Sequence, residues 1–100
     1  MAHLATASLT AAGWTDWIEA RGSKLVDVSI SGINGHTVTI QRDYTNTATG
    51  DTDGFIVEQH TTDAERVLQS GAFKYFRAGI VTGDFGTGTV DLRVEAGNAY

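Results

Sequence analysis

Apolar and polar residues alternate along much of this chain with a period of two, the spacing of a strand that buries one face. Val26, Val28 and Ile30 alternate with polar side chains over residues 24–32. After a short segment with two glycines and an asparagine, the alternation resumes over residues 36–44. Because glycine and asparagine tolerate the backbone conformations of tight turns, the two runs are predicted to pair as a β-hairpin.

The last third of the chain repeats this arrangement over residues 73–94. An apolar run is followed by a glycine-rich segment and then by Val90, Leu92 and Val94, which alternate with charged residues. Such alternation is typical of half-buried antiparallel strands. The pattern therefore predicts a second hairpin, with the glycine-rich segment as its turn.

Shorter runs predict further strands. Residues 55–60 are predicted to form a strand, which the polar loop over residues 45–54 joins to the preceding strand as a third hairpin. Residues 62–70 begin with a capping-box pattern, but the segment is too short for a stable isolated helix, so a short strand or turn is predicted. In the N-terminal quarter, strands are predicted over residues 4–9 and near residues 17–21.

The number and spacing of these runs predict the fold class. Seven or eight short strands separated by frequent turn signals favour an all-β protein, a single antiparallel β-sandwich that is Ig-like or jelly-roll-like. A chain of 100 residues has the size of one domain, so residues 1–100 are predicted to form a single sandwich. Residues 1–12 are predicted to be an N-terminal arm. Within it, residues 2–12 are predicted to dock on a partner, because they are small, uncharged apart from His3 and weakly patterned.

Composition and charge argue against several partners. The net charge of −5 and the pI near 4.9 argue against nucleic acid, whose phosphates require clustered Lys and Arg. Without cysteine, neither a disulfide nor a thiolate zinc site can form. No signal-peptide pattern is present, and no run approaches the roughly 18 apolar residues that span a bilayer. The protein is therefore expected to be soluble, with no nucleic acid or membrane partner.

The polar residues predict no catalysis, metal or cofactor. Residues 51–54 resemble the start of a calcium loop, but the ligands expected at its fifth and twelfth positions are missing. This segment is interpreted as a hydrated loop, with a bound cation or glycan as the alternative. Ser29, His60 and Asp63 could be combined into a triad, yet no local signature of a catalytic nucleophile accompanies them. The protein is predicted not to be an enzyme.

The aromatic residues suggest binding. Tryptophan and tyrosine rings line sugar-binding faces and anchor subunit interfaces, although most aromatic residues of a small domain belong to its core. Arg77 interrupts an apolar run, where a charged residue usually pairs with a carboxylate or lies on an outer face, and pairing with a carboxylate is the preferred prediction. The aromatic residues considered for these roles are Trp14, Trp17, Tyr44, Tyr75, Phe76 and Phe85.

Most of residues 24–94 resembles a group of small bacteriophage virion proteins. In that group a V-S-I-S-G … G-T-V-T-L-Q-R hairpin leads into an Asp/Gly loop, and a Y-R-A-G … G-T-V-x-V-R hairpin closes the chain. The corresponding segments are residues 26–32, 34–44, 75–79 and 88–94. The chain departs from the pattern in a longer, threonine-rich loop and in Phe76, which separates Tyr75 from Arg77.

The resemblance implies a non-enzymatic virion structural protein, a capsid decoration (cement) protein that binds the outside of a phage head and links neighbouring subunits. Its partners would be the major capsid protein or other virion subunits and further copies of itself, preferentially as a trimer. It would be made in the host cytoplasm and reside in the virion. The alternatives are a tail or neck accessory and a carbohydrate-binding module. The residues expected at the interface are His3, Leu4, Leu9, Trp14, Trp17, Tyr44 and Phe85.

Overall fold

The computed structural model describes residues 3–20, 25–47, 50–51 and 54–97. Within these ranges the chain forms nine strands and no helix, which confirms the predicted all-β class. Two of the strands have only two residues each, so the count exceeds the predicted seven or eight. The strands are β1 (Leu4–Leu9), β2 (Gly13–Trp14), β3 (Ile18–Glu19), β4 (Leu25–Ser31), β5 (Val38–Asp43), β6 (Phe55–His60), β7 (Ala64–Gln69), β8 (Tyr75–Ile80) and β9 (Val90–Ala96).

Two antiparallel sheets face each other and enclose the core, which is a β-sandwich. The first sheet has the strand order β1-β9-β4-β7. The second has the order β2-β8-β5-β6, and β3 also pairs with β8. Alternate residues of the central strands point inward, as the sequence pattern predicts. The apolar residues with no more than 1% of their surface exposed are Ile18, Val26, Val28, Val38, Ile40, Phe76, Ala78, Ile80, Val90 and Val94.

Of the three predicted hairpins, the structure confirms the third, because β5 and β6 pair with each other across the loop that joins them. The hairpin predicted over residues 24–44 is wrong, since β4 lies in the first sheet and β5 in the second. The hairpin predicted over residues 73–94 is wrong for the same reason, with β8 in the second sheet and β9 in the first. The alternation of apolar and polar residues shows which face of a strand is buried. The same alternation is expected whether two strands pair within one sheet or face each other across the core, so it does not predict pairing.

The two segments predicted as hairpin turns are crossovers between the sheets, and they lie side by side. The backbone N–H of Thr37 in the first crossover donates to the carbonyl oxygen of Asp84 in the second, at 3.0 Å. Gly32 opens the first crossover with φ of 85°, and a Cβ there would lie 2.4 Å from the carbonyl oxygen of Thr89. This position therefore requires glycine for both its conformation and its close backbone contact.

The N-terminal segment is built into the fold. Strand β1 has the predicted bounds and pairs along its whole length with β9, at one edge of the first sheet. Residues 4–9 of the predicted arm are therefore part of the sheet, and a docking role for residues 2–12 stays a prediction. Strand β3 is shorter than the strand predicted near residues 17–21, of which residue 21 lies outside the described residues. Residues 62–70 contain a strand, β7, as one of the two predicted alternatives.

Candidate binding surface

A buried arginine organises the outer face of the second sheet. Arg77 on β8 lies between Trp14 and Trp17, with its guanidinium carbon 4.2 Å and 4.6 Å from the two ring centroids. Its neighbours Phe76 and Ala78 face the core, so Arg77 points to the opposite side of the sheet, as one of the predicted alternatives has it. Only 3% of the residue is exposed. Cation–π contacts are strongest when water is excluded in this way.

A β-bulge brings both tryptophans to this face. Trp14 pairs with Gly79 and Ile18 pairs with Phe76, so four steps along the first segment match three steps along β8. In a regular strand, residues 14 and 17 would point to opposite faces, because their separation is odd. The extra residue corrects this mismatch and allows the two indole rings to flank one guanidinium.

Hydrogen bonds join this guanidinium to the loop between β5 and β6. Arg77 Nε donates to Gln41 Oε1 at 2.9 Å, and Nη2 donates to the carbonyl oxygen of Gly50 at 2.7 Å. Gln41 Nε2 donates in turn to the carbonyl oxygen of Asp51 at 2.7 Å. Both side chains are buried, so the sheet holds residues 50–51 through bonds that are shielded from water.

The Asp51 carboxylate completes the network. One oxygen accepts from the indole N–H of Trp14 at 2.8 Å, and the other accepts from the backbone N–H of Thr82 at 3.0 Å. The Trp14 donor first, then the Thr82 donor and the positive charge of Arg77, hold the pKa of Asp51 below its ordinary value. A cation or glycan on this loop stays a prediction, because Asp53, the second acidic residue of the loop, lies outside the described residues.

Gly79 allows the indole ring of Trp14 to approach the sheet. A Cβ on Gly79 would lie 2.5 Å from ring carbons of Trp14 and 2.4 Å from the carbonyl oxygen of Gly13. Both tryptophans are half-buried, and the Arg77 guanidinium covers a face of each ring. These rings therefore hold the outer face of the sheet together, and the covered faces are not free for the sugar stacking that the carbohydrate-binding alternative needs.

A second group of aromatic rings is exposed at the end of β5. Tyr44 stacks on Phe73 with centroids 4.5 Å apart, and Phe55 lies 5.6 Å from Phe73 and 6.1 Å from Tyr44. The guanidinium carbon of Arg42 lies 4.2 Å from the Phe73 centroid. Tyr44 is 54% exposed and Phe55 is 55% exposed. We call these four residues, Arg42, Tyr44, Phe55 and Phe73, the aromatic patch.

The aromatic patch is assembled from three parts of the chain, and sequence analysis found only Tyr44. Arg42 pairs with Phe55 in the β5–β6 ladder, after a shift in register between Ile40 and Gln41. Phe73 comes from the turn before β8. In the sequence, the one signal for Phe55 is its place directly after a polar loop, at the start of a strand. Nothing in the sequence points to Phe73, because its partners are distant along the chain.

The other residues expected at the interface lie elsewhere in the fold. His3 Nδ1 lies 2.7 Å from a backbone carbonyl oxygen of β3. Leu4 is exposed on β1, whereas Leu9 is half-buried against the core. Phe85 lies in the second crossover, where its ring meets the buried His36 edge-on with centroids 4.3 Å apart. The seven predicted residues therefore fall into four regions: the β1 edge, the tryptophan–arginine network, the aromatic patch and the crossover.

The residues considered for a catalytic triad make other contacts. His60 Nε2 lies 2.8 Å from a carboxylate oxygen of Glu58, and Asp63 accepts the backbone N–H of Ile33 at 2.9 Å. Among the described residues, no three His, Asp or Glu side chains lie close enough to hold a metal ion. In the same part of the chain no helix has the length and apolar character needed to cross a bilayer.

Comparison with known proteins identifies no relative. No protein-family model matches the chain, and neither a curated protein nor a solved structure is significantly similar to it. The function of this surface must therefore be inferred from its geometry and from the residues themselves.

An acidic side chain links the two sheets where β6 and β7 follow each other. Arg66 on β7 donates from Nε and Nη2 to the two carboxylate oxygens of Glu58 on β6, both at 2.9 Å. The Arg66 donors first, and then His60, lower the pKa of Glu58 from 4.5 to about 2. Because β6 and β7 belong to different sheets, this ion pair closes one side of the sandwich.

Glu58→Gln should make the protein less sensitive to acid. A carboxyl group whose pKa is lowered by folding stabilises the protein above its unfolded pKa, and the effect is lost as pH falls through the folded pKa. The stability that the Glu58 carboxylate contributes should therefore be lost between about pH 5 and about pH 2. The pair is partly exposed, so we expect a loss of about 1 kcal/mol at neutral pH. Urea unfolding across this window measures it, and Glu65→Gln, the same charge change on β7, is the control. Equal pH profiles for the two variants would contradict the prediction.

Proposed function

We propose that this protein is a non-enzymatic structural component of a bacteriophage particle, a capsid decoration protein that binds the outside of the head and links neighbouring shell subunits. The resemblance to small virion proteins suggests the kind of particle. The observation that carries the proposal is the aromatic patch, because it gives the sandwich an adhesive surface.

The aromatic patch has the composition of a binding anchor. Aromatic residues and arginine are enriched in the buried centres of protein–protein interfaces. Tyr44 and Phe55 each leave more than half of their surface in water, although both already contact Phe73. Burying these rings against a partner would remove apolar surface from water at little entropic cost, because both rings already pack against Phe73.

The sheet holds the loop that joins Tyr44 to Phe55, two residues of the aromatic patch. The network of Arg77, Trp14, Trp17 and Asp51 fixes residues 50–51 of the same loop that begins at Tyr44. A rigid sandwich with a small adhesive patch can bind weakly as a single copy and tightly as part of a lattice, because many linked contacts act together. This arrangement suits a protein that reinforces a repeating shell.

The proposal is tested by locating the protein in particles of the phage whose genome encodes it. Imaging and the copy number relative to the major shell protein give the answer. Copies in the hundreds on the outside of the head are expected, whereas about a dozen copies at one vertex would indicate a neck or tail accessory. Absence from purified particles would overturn the proposal.

The double substitution Tyr44→Ala with Phe55→Ala should weaken binding to shells stripped of the protein by about 10-fold to about 100-fold. The matched control is Val67→Ala, which removes a side chain of a residue that is 61% exposed on β7. Unfolding measurements must show that the variants remain folded. Wild-type affinity in the double variant would exclude the aromatic patch as the anchor. A glycan array tests the alternative function. A sugar that binds with micromolar affinity, together with no binding to particles, would favour a carbohydrate-binding module.

A further inference from the structure

Among the described residues, no strand pairs with the side of β1 that faces away from β9, and the hydrogen bonds show which main-chain groups point to that side. The carbonyl oxygen of His3 accepts from the backbone N–H of Ala96 at 2.8 Å, so this residue pair belongs to the hydrogen-bonded set of the β1–β9 ladder. In an antiparallel ladder, the main-chain groups of alternate residues point to the partner and those between them point away. The residues of β1 whose N–H and C=O groups point away from β9 are therefore Leu4, Thr6 and Ser8.

Strand β1 also differs from the other described edge strands in having no protection against pairing. Natural sheets blunt their edges with very short strands, with charges or with bulges. Strands β2 and β3 are two residues long, β7 carries Glu65 and Arg66, and the β5–β6 ladder contains a bulge. Strand β1 is six residues long, regularly paired with β9, and contains neither a charged residue nor proline.

We infer that the β1 edge is an interface between two copies of this chain, which pair antiparallel about a two-fold axis at Thr6. This register places Thr6 opposite Thr6 and Leu4 opposite Ser8 of the second copy. All the outward N–H and C=O groups of Leu4, Thr6 and Ser8 then form hydrogen bonds with the second copy. Each of these side chains lies opposite a side chain on the same face of the sheet. Between them, Ala5 lies opposite Ala7 of the second copy, where the strands approach most closely and small side chains fit.

The occupant is a second copy because the edge complements itself. In the register above, every outward N–H and C=O group of Leu4, Thr6 and Ser8 forms one hydrogen bond with the second copy, and no like charges are brought together. The two first sheets would join into one continuous sheet through an isologous contact. A two-fold pair differs from the trimer that the resemblance implies, and the trimer stays a prediction. The two-fold pair does not depend on the proposed virion role, since it concerns only copies of this chain in solution.

The expected association is weak. A contact of one short strand with another covers less than the roughly 1,200 Å² of a standard stable interface. We therefore expect sedimentation equilibrium to find monomers at about 10 µM and a growing dimer fraction toward about 1 mM. A wild-type protein that stays monomeric over this range would overturn the inference.

Two substitutions at the axis separate a main-chain role from a side-chain role. Thr6→Lys places two ammonium groups opposite each other, and Thr6→Pro removes the outward N–H without removing a bond to β9. Both should weaken the dimer by about 10-fold or more, with unchanged circular dichroism. The matched control, Val67→Lys on the other edge of the first sheet, should dimerise like the wild type. If Val67→Lys abolishes the dimer and the Thr6 variants do not, the interface lies at β7 and the inference is wrong.

Amide hydrogen exchange gives a readout that does not depend on the variants. The N–H groups of Thr6 and Ser8 should exchange more slowly at high protein concentration, because dimerisation pairs them. The N–H groups of Ala5 and Ala7 should be slow at every concentration, because β9 already pairs them. Concentration-independent exchange at Thr6 and Ser8 in a sample that dimerises would also overturn the inference. If Thr6→Pro lowers binding to particles while the wild type remains monomeric, the edge takes a strand of a different protein.

Discussion

Replacing Arg77 with alanine should lower the free energy of unfolding by about 3–5 kcal/mol, a large part of the stability of a domain of this size. The guanidinium is only 3% exposed, and it donates to Gln41 Oε1 and to the Gly50 carbonyl oxygen. Removing the guanidinium leaves Gln41 Oε1 and the Gly50 carbonyl oxygen without this hydrogen-bond donor, and it opens a cavity between two indole rings. Gly50 would lose this hydrogen bond to the sheet, so the loop between β5 and β6 should loosen next to Asp51, which Gln41, Trp14 and Thr82 still hold.

Chemical unfolding followed by far-ultraviolet circular dichroism measures this effect without interference from local changes in tryptophan fluorescence. Arg77→Lys keeps the charge but cannot form the same forked contacts, so it should recover only part of the stability. The matched control is Arg93→Ala, because Arg93 is an exposed residue of β9 whose ion pair with Glu95 lies at the surface. We expect its cost to stay below about 1 kcal/mol. Similar losses for Arg77→Ala and Arg93→Ala would show that the buried network contributes little.

Gly79→Ala should destabilise the protein by about 3 kcal/mol, at the upper end of the usual cost of overpacking. The new methyl group would lie 2.4 Å from the Gly13 carbonyl oxygen and 2.5 Å from the Trp14 ring. Neither neighbour can move freely, because β2 pairs with β8 and the indole N–H is bonded to Asp51. We therefore expect Trp14 to be displaced and its fluorescence to change in the folded state.

The control for this prediction is Gly13→Ala, at the position that pairs with Ile80 next to Gly79. A Cβ on Gly13 meets only Leu9 Cδ2 at 3.5 Å, which is an ordinary contact. Its effect should therefore stay within about 1 kcal/mol. Chemical unfolding and the emission spectrum of each folded variant provide the measurements. Equal stability of the Gly79 and Gly13 variants would mean that close packing against Trp14 does not constrain this position.

Several strands follow from the sequence alone. The alternation of Val26, Val28 and Ile30, and of Val90, Leu92 and Val94, correctly predicts which side of each strand is buried. The pairing of these strands does not follow. Two strands that neighbour in sequence can pair in one sheet or face each other across the core, and both arrangements bury the same residues. For this reason the hairpins predicted over residues 24–44 and 73–94 are wrong.

The candidate surface was less predictable than the strands. Trp14 and Trp17 stand out as residue types, but their side chains lie on the same face of the sheet only because of a β-bulge, which no local sequence pattern predicts. Arg77 lies on the outer face, the alternative that the sequence analysis did not prefer, and its pairing with a carboxylate stays a prediction. Its position between two rings depends on segments far away in sequence. Phe55 and Phe73 complete the aromatic patch only because the folded chain brings three separate segments together.

The sequence by itself determined that this chain is an all-β domain, because alternation and turn residues are local properties that each strand carries independently. The tertiary structure alone decided which strands are neighbours, that β1 lies at one edge of the first sheet, and that a buried arginine joins two tryptophans to a loop. These features depend on contacts between residues distant in sequence. Their energies arise only when the two sheets close over one core, so no single segment encodes them.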